Sequence, residues 1–99
     1  MSSEPEPVEA VEAPPWDPKA GPAPVVQTWA RLTRPALDVY VRGRWRRCPV
    51  IALHRYEDGW LAVQVDVHLD SATSYQARTY RWDPAAMRIA RRGEPPLEI

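Results

Sequence analysis

Apolar and polar residues alternate most regularly between Trp60 and Leu69, and this alternation predicts a β-strand. One face of that strand carries Leu61, Val63, Val65, Val67 and Leu69. The other face carries Trp60, Ala62, Gln64, Asp66 and His68. Because only the first face is uniformly aliphatic, we expect that face to lie on a core.

Four more strands follow from weaker patterns of the same kind. They are predicted from Leu37 to Val41, from Trp45 or Arg46 to Tyr56, from Tyr75 to Trp82, and from Met87 to Arg91. Before the last strand, Asp83-Pro84-Ala85-Ala86 fits a single helical turn with Asp83 as its cap. Residues 25–34 fit either a short helix or an irregular segment.

Turn chemistry predicts how the second and third strands pair. Glu57-Asp58-Gly59 fits a three-residue hairpin loop with glycine in the left-handed position, which sets Tyr56 opposite Trp60. On the core face this register pairs Leu53 with Val63, Ile51 with Val65 and Pro49 with Val67. On the outer face it pairs His54 with Ala62, Cys48 with His68 and Arg46 with Asp70.

The first hairpin leaves two alternatives. A two-residue Gly43-Arg44 turn would place Val39 opposite Cys48, on the outer face. Either the loop has three residues and Val39 faces Pro49, or a bulge lies at Cys48-Pro49. We expect the bulge or the longer loop.

Composition divides the chain near residue 28. Residues 1–28 hold five acidic residues and one lysine, a net charge of −4, with seven of the twelve prolines. Residues 29–99 hold twelve arginines and eight acidic residues, a net charge of +4. A segment rich in Pro, Glu and Ala buries too little apolar surface to offset its ordering entropy. We therefore expect a disordered acidic tail at 1–25, a lead-in at 26–36, a folded β-domain at 37–92 and a C-terminal tail at 93–99.

Several protein classes are excluded by composition. A single cysteine supports neither an internal disulfide nor a Cys-rich zinc site. No stretch reaches the roughly 18 apolar residues of a membrane span. The acidic N-terminus is unlike a signal peptide, so we expect a cytoplasmic protein with no membrane contact.

The order of the predicted elements resembles that of SH3-like small barrels. The run from Val41 to Val50, then Gly59-Trp60 and Tyr80-Arg81-Trp82-Asp83-Pro84, looks like Tudor, KOW and other SH3-like domains. It also resembles small proteins of high-GC actinobacteria, which twelve arginines to one lysine would suit. The resemblance covers about residues 37–91 and implies a five-stranded SH3-like barrel in an all-β protein. It carries over no functional residue, because fold does not fix function.

An arginine group is the first candidate site. It consists of Arg42, Arg44, Arg46, Arg47 and Arg55, interleaved with Trp45 and free of acidic neighbours between Val39 and Tyr56. Arginines bind phosphates and an indole stacks on a base, so this hairpin suits nucleic acid. The alternative is a solvated hairpin whose arginines pair with Asp66 and Asp70. The acidic tail could also cover the group and modulate it.

The aromatic residues form the second candidate. Tyr40, Trp45, Tyr56, Trp60, Tyr80 and Trp82 are many for a small barrel. Because the chain has no phenylalanine, some of them are expected in the core. The others suit an exposed groove for a partner peptide, since Trp, Tyr and Arg anchor many interfaces.

Catalysis has only a weak candidate. Cys48 and His68 are predicted neighbours, and a thiol beside an imidazole is the start of a nucleophilic site. No oxyanion feature or glycine-rich pocket loop accompanies them, and the row Asp66, His68, Asp70 lacks a fourth metal ligand. We therefore predict no enzyme, no metal and no cofactor.

Together these patterns predict a non-catalytic binding or adaptor module. Its expected ligand is a protein, bound by Tyr40, Arg42, Arg44, Trp45, Arg46, Arg47, Tyr56, Trp60 and Trp82. The alternative is a nucleic-acid-binding barrel that uses the Arg42–Arg47 hairpin. Self-association is left open.

Overall fold

The computed structural model describes residues 6–69 and 75–90 of the chain. Six strands and one short 3-10 helix form its regular structure. In chain order they are β1 (Val25–Thr28), the 3-10 helix (Arg31–Thr33), β2 (Ala36–Val41), β3 (Arg44–Arg55), β4 (Leu61–His68), β5 (Tyr75–Arg81) and β6 (Met87–Ile89). Within the described ranges, no helix has the length and apolar character to cross a membrane.

The strands form one antiparallel sheet in the order β5-β4-β3-β2-β6, with β1 added beside β3. The twelve-residue β3 lies at its centre and pairs differently along its two halves. Its first half pairs with β2, from Ala36 opposite Pro49 to Val41 opposite Arg44. Its second half pairs with β4, and with β1 on the other edge. One strand therefore joins the two halves of the sheet.

A β-bulge at Ile51 makes this double pairing possible. Leu53 pairs with Val63 and His54 with Ala62, which confirms the predicted register at the hairpin end. The register then shifts between Val50 and Ala52, so that Val50, and not Ile51 as predicted, pairs with Val65. The extra residue bends β3 and brings Val50 and Leu53 both to the buried side.

The first hairpin differs from both predicted alternatives. Its turn has two residues, Arg42 and Gly43, with φ of 53° and 73°. Positive φ at both positions is the geometry of a type I′ turn, whose twist matches that of its strands. The turn lies one residue earlier than Gly43-Arg44, so Leu37 pairs with Cys48 and both are fully buried. The predictions of a longer loop, of a bulge at Cys48-Pro49 and of Cys48 beside His68 on the outer face are wrong.

The core is aliphatic. Its fully buried side chains include Leu37, Val39, Cys48, Val50, Leu53, Val63, Val65 and Val67. Of the aromatic residues, Tyr80 is buried, while Trp29 and Trp82 pack against the core from its margin. The prediction that some aromatic residues lie in the core is thus confirmed for Tyr80 alone. The remaining aromatic residues are half-buried at Tyr40, Trp45, Tyr56 and Trp60, and exposed at Trp16 and Tyr75.

The all-β prediction is confirmed, with a sheet of six strands that is not closed by strand pairing among the described residues. The segment 25–34 contains β1 and the 3-10 helix. The predicted turn after Asp83 is present, because Ala85 N donates to Asp83 Oδ1 (2.9 Å) and Ala86 N to Asp83 O (2.9 Å). Residues 70–74, between the strands predicted to end at Leu69 and to begin at Tyr75, and the predicted tail at 93–99 lie outside the described residues.

Candidate functional site

A groove of about 550 Å³ lies between the proline-rich stretch 14–22 and the β3–β4 hairpin. Aromatic rings and prolines form most of its lining, and three carboxylates complete it. The lining residues are Pro14, Pro15, Trp16, Asp17, Ala20, Gly21, Pro22, Tyr56, Glu57, Asp58 and Trp60. We call this feature the aromatic groove.

The β3–β4 hairpin holds one wall of the aromatic groove in place. Tyr56 N donates to Trp60 O (2.8 Å) and Gly59 N to Tyr56 O (3.0 Å), which closes the predicted three-residue loop. Asp58 Oδ1 accepts a hydrogen bond from Trp60 N (2.9 Å). The Tyr56 and Trp60 rings meet edge to face with centroids 4.5 Å apart, and the Arg81 guanidinium lies 5.6 Å from the Trp60 ring centroid. Two predicted binding residues are thereby fixed side by side.

A turn in the proline-rich stretch supplies the opposite wall. Lys19 N donates to Asp17 Oδ1 and Ala20 N to Asp17 O, each at 2.9 Å. Trp16 Nε1 donates to Gly21 O (3.2 Å), so the indole lies across this turn with 44% of its surface exposed. An indole held by its N–H presents its apolar face to a ligand.

A second hollow, of about 520 Å³, adjoins the aromatic groove. The two share Pro14, Pro15, Trp16 and Tyr56, and the second is also lined by His54. Burial lowers the pKa of His54 from its usual value, since the cationic ring is less well solvated there.

The predicted aromatic set divides into separate groups. Tyr40 and Trp45 lie opposite each other on β2 and β3, and their rings meet edge to face with centroids 5.4 Å apart. Arg88 of β6 lies over the Trp45 ring, 3.7 Å from its centroid. Neither Tyr40 nor Trp45 lines the aromatic groove. Trp82 packs on the core and does not line it either.

The predicted arginine group is partly structural. Arg46 donates from Nε to Val41 O (2.8 Å) and from Nη1 to His68 O (3.1 Å), so its guanidinium ties two parts of the sheet together. Asp66, expected to pair with this group, pairs with Arg34 at 3.1 Å. The other predicted acceptor, Asp70, lies outside the described residues.

A basic hollow of about 300 Å³ lies beside this hairpin. Arginines 31, 34 and 47 line it, together with Pro35, Ala36, Pro49 and Tyr75. Arg47 is the one member of the predicted arginine group in this lining.

Cys48 lies on the core face of β3, where burial raises the pKa of its thiol to about 12. The group is therefore protonated at neutral pH. No group of three or more His, Cys, Asp and Glu side chains suited to a metal ion occurs in residues 6–69 and 75–90.

Residues 8–13 lie along the opening between β5 and β2, and we call them the seam segment. Arg81 N donates to Val11 O and Ala13 N to Thr79 O, each at 2.9 Å, which adds an antiparallel bridge to the outer edge of β5. Toward the other side, Ala10 N donates to Tyr40 O (2.9 Å) and Val8 N donates to Ala85 O (3.1 Å). The seam segment thus spans the gap that the six strands leave open.

Both glutamates of the seam segment bind the folded domain. The Glu9 carboxylate accepts hydrogen bonds from Arg42 N (3.0 Å) and Gly43 N (2.6 Å), at the turn of the β2–β3 hairpin. Glu12 pairs with Arg78 of β5 at 3.1 Å. Disorder of residues 1–25 stays a prediction, and the described part of that range makes these contacts.

The binding residues predicted from the sequence do not include Trp16, Arg88 or the seam segment. One signal for the seam segment is present in the sequence, since Val8–Ala13 reads Val-Glu-Ala twice. In each repeat the glutamate makes a polar contact and the alanine is half-buried, while Val8 and Val11 are exposed.

Comparisons with models of protein families, with curated proteins and with solved structures found no match to this chain. Function is therefore argued from the geometry of these surfaces alone.

Proposed function

We propose that this chain is a non-catalytic binding module, built on an SH3-like β-barrel, that recognises a protein segment in the aromatic groove. The observation that carries the proposal is the pairing of Tyr56 and Trp60 with the opposed Trp16 across a concavity of about 550 Å³. Aromatic side chains held in fixed orientations are typical anchors of protein interfaces, because they bury much area with little loss of side-chain entropy.

The strand order supports the SH3-like architecture. Four hairpin-connected strands, a bent central strand shared by two halves of the sheet, and a single turn before the last strand are also features of SH3-like domains. The aromatic groove lies beside the Glu57-Asp58-Gly59 loop of the β3–β4 hairpin.

The charges around the aromatic groove favour a basic partner segment. Asp17, Glu57 and Asp58 contribute carboxylates to its lining, whereas Lys19 and Arg81 are nearby cations that do not line it. An extended peptide with an apolar or proline anchor, followed by lysine or arginine, would match both the rings and these carboxylates.

The test is a set of affinities for peptides selected against the purified chain from a random extended-peptide library. Trp60→Ala is expected to weaken binding by about tenfold or more, because a central aromatic anchor is lost. Trp45→Ala is the matched control, since Trp45 is half-buried outside the groove, and it is expected to leave affinity unchanged. Equal affinities for wild type and Trp60→Ala would rule out the aromatic groove as the site.

Nucleic acid is the second candidate, and the basic hollow beside Arg47 is the observation that favours it. A single-stranded oligonucleotide measured in the same assay separates the two functions. Binding that falls steeply with salt, that persists in Trp60→Ala and that is lost in Arg31→Ala/Arg47→Ala would assign the chain to nucleic acid.

A further inference from the structure

The seam between β5 and β2 has the properties of a peptide-binding site that the chain fills with its own residues. The polar groups that line it are the outer edge of β5 at Thr79 and Arg81, two backbone N–H groups at Arg42 and Gly43, and the Arg78 guanidinium. All of these groups bind an extended acidic segment. None of the six strands has an equivalent contact with this edge of β5.

We propose that the seam binds an extended acidic peptide supplied by a partner protein, with glutamates three residues apart and a small residue after each, and that residues 8–13 occupy it in its absence. The ligand chemistry follows from the contacts. One glutamate binds the turn at Arg42-Gly43 and the other pairs with Arg78, while the alanines lie half-buried against the sheet. A larger side chain at Ala10 would meet the core, against which Ala10 packs.

The seam segment is held in a way that permits exchange. Its side chains bury little, since Val8 and Val11 remain 49% and 61% exposed. Its contacts are mainly backbone hydrogen bonds and two carboxylate contacts, and a strand added at a sheet edge offers the same set to any extended chain of matching sequence. The following stretch, Pro14–Pro24, carries five prolines and connects the segment to β1.

Because residues 8–13 already occupy the seam, a partner peptide must bind strongly enough to displace them. A segment tethered by a short linker acts at an effective concentration of about a millimolar. A peptide in solution therefore binds the seam only when it outcompetes the tethered segment. A variant with a weakened tethered segment is therefore expected to bind the same peptide more tightly. That difference distinguishes the seam from a surface that is always open.

The experiment uses a fluorescent peptide with the sequence of residues 6–13, added to the full chain. In the variant Glu9→Gln/Glu12→Gln, the isosteric amides keep the shape of the segment and remove its charge. We expect this variant to bind the peptide at least tenfold more tightly than wild type does. A peptide with both glutamates replaced by glutamine is expected to bind neither protein.

Matched variants locate the binding. Adding Arg78→Gln to the double variant is expected to reduce its affinity for the peptide, whereas Arg31→Gln, at an exposed arginine outside the seam, is expected to leave it unchanged. Trp60→Ala is also expected to leave it unchanged, which separates the seam from the aromatic groove. No binding to the double variant, equal affinity for both proteins, or dimers of the chain in place of a peptide complex would overturn the proposal.

Hydrogen exchange on the unmodified chain gives an independent test. The Arg81 amide donates to Val11 O in the seam, whereas Val63 lies in the fully buried core. The proposal requires the seam to open while the core stays closed, so we expect the Arg81 amide to exchange at least tenfold faster than the Val63 amide. Exchange of both amides at one rate, by global unfolding, would contradict it.

Discussion

Arg42 shows how a single backbone conformation limits stability. Its φ of 53° lies in the left-handed region, which an arginine adopts at a cost of roughly 1–2 kcal/mol. The type I′ turn needs this conformation at both central positions, and Asn-Gly is the preferred pair there. In this conformation the backbone N–H of Arg42 donates a hydrogen bond to Glu9.

We expect Arg42→Asn to raise the free energy of unfolding by about 0.5–1 kcal/mol, because asparagine tolerates left-handed φ. Gly43→Ala is expected to lower it by about 1–2 kcal/mol, since Gly43 has a φ of 73°. Urea denaturation of both variants measures the two changes. A lower free energy of unfolding for Arg42→Asn would show that the arginine side chain stabilises the fold by more than the strain at its backbone destabilises it.

His54 makes stability depend on pH on the acid side. In the unfolded chain a histidine takes up a proton near its ordinary pKa of 6.5, whereas burial lowers the pKa of His54 in the folded chain. The unfolded state therefore binds more protons below about pH 6.5, and the free energy of unfolding falls as the pH falls. We expect His54→Gln to weaken this fall, with wild type and variant differing least above pH 7. Parallel curves from pH 8 to pH 5 would contradict the assignment.

Cys48 makes stability depend on pH in the alkaline range, where the free energy of unfolding falls as the pH rises. Its folded pKa of about 12 lies above the ordinary thiol value of 9.0, so the neutral thiol contributes stability that is complete below about pH 9. That stability is lost as the pH rises toward 12. A thiol reagent at pH 8 is expected to label the folded chain only at the rate of unfolding, and to label it at once in denaturant. Rapid labelling without denaturant would show that the thiol is reachable.

At the scale of the element, β3 determines the arrangement of the sheet. Its bulge at Ile51 allows Val50 and Leu53 both to enter the core while the strand changes partners. Leu53 is fully buried within this region. The strand is therefore the place where a core deletion should cost most.

We expect Leu53→Ala to lower the free energy of unfolding by about 2–5 kcal/mol, as large-to-small changes in packed cores do. The matched control is Leu32→Ala, because Leu32 is 97% exposed in the 3-10 helix. The same urea denaturation should show little change there. Similar losses in the two variants would place Leu53 outside the cooperative core.

Period-two patterns were sufficient for β4, whose buried valines lie as the alternation predicts. The β3–β4 hairpin was also predictable, because Gly59 marks its loop and Leu53 pairs with Val63. The bulge at Ile51 was not, since a bulge is set by the closure of the sheet and leaves no strong local signal. The turn at Arg42-Gly43 was missed because arginine is an uncommon residue in the left-handed conformation.

The candidate site was predictable only in part. Tyr56 and Trp60 were expected as surface aromatics and they line the aromatic groove. The second wall, with Trp16, belongs to a stretch that composition assigned to a disordered tail. A proline-rich segment has little core of its own, so its place depends on contacts with residues far along the chain, and these leave no local pattern.

The acidic residues 1–28 and the basic residues 29–99 contact each other in the folded chain. The chain as a whole is neutral, yet Glu9 and Glu12 lie against the arginine-rich domain at the hairpin turn and at Arg78. In the docked state two acidic residues of the N-terminal part therefore lie against the basic part of the chain. Release of the seam segment would expose its acidic groups and the basic edge of β5 together.

The contacts of the seam segment also set the order in which parts of the chain can fold during synthesis. Glu12 and Arg78 are separated by 66 positions, so the first contacts in the chain need one of the last strands. While β2, β3 and β4 pair with their neighbours, Glu9 and Ala10 already have partners at the β2–β3 hairpin, but residues 11–13 have no β5 edge to join. The loop they must close is long, and its closure entropy delays a step that depends on β5. The chain must be finished through Arg81 before Val11 and Ala13 can make their backbone hydrogen bonds to β5.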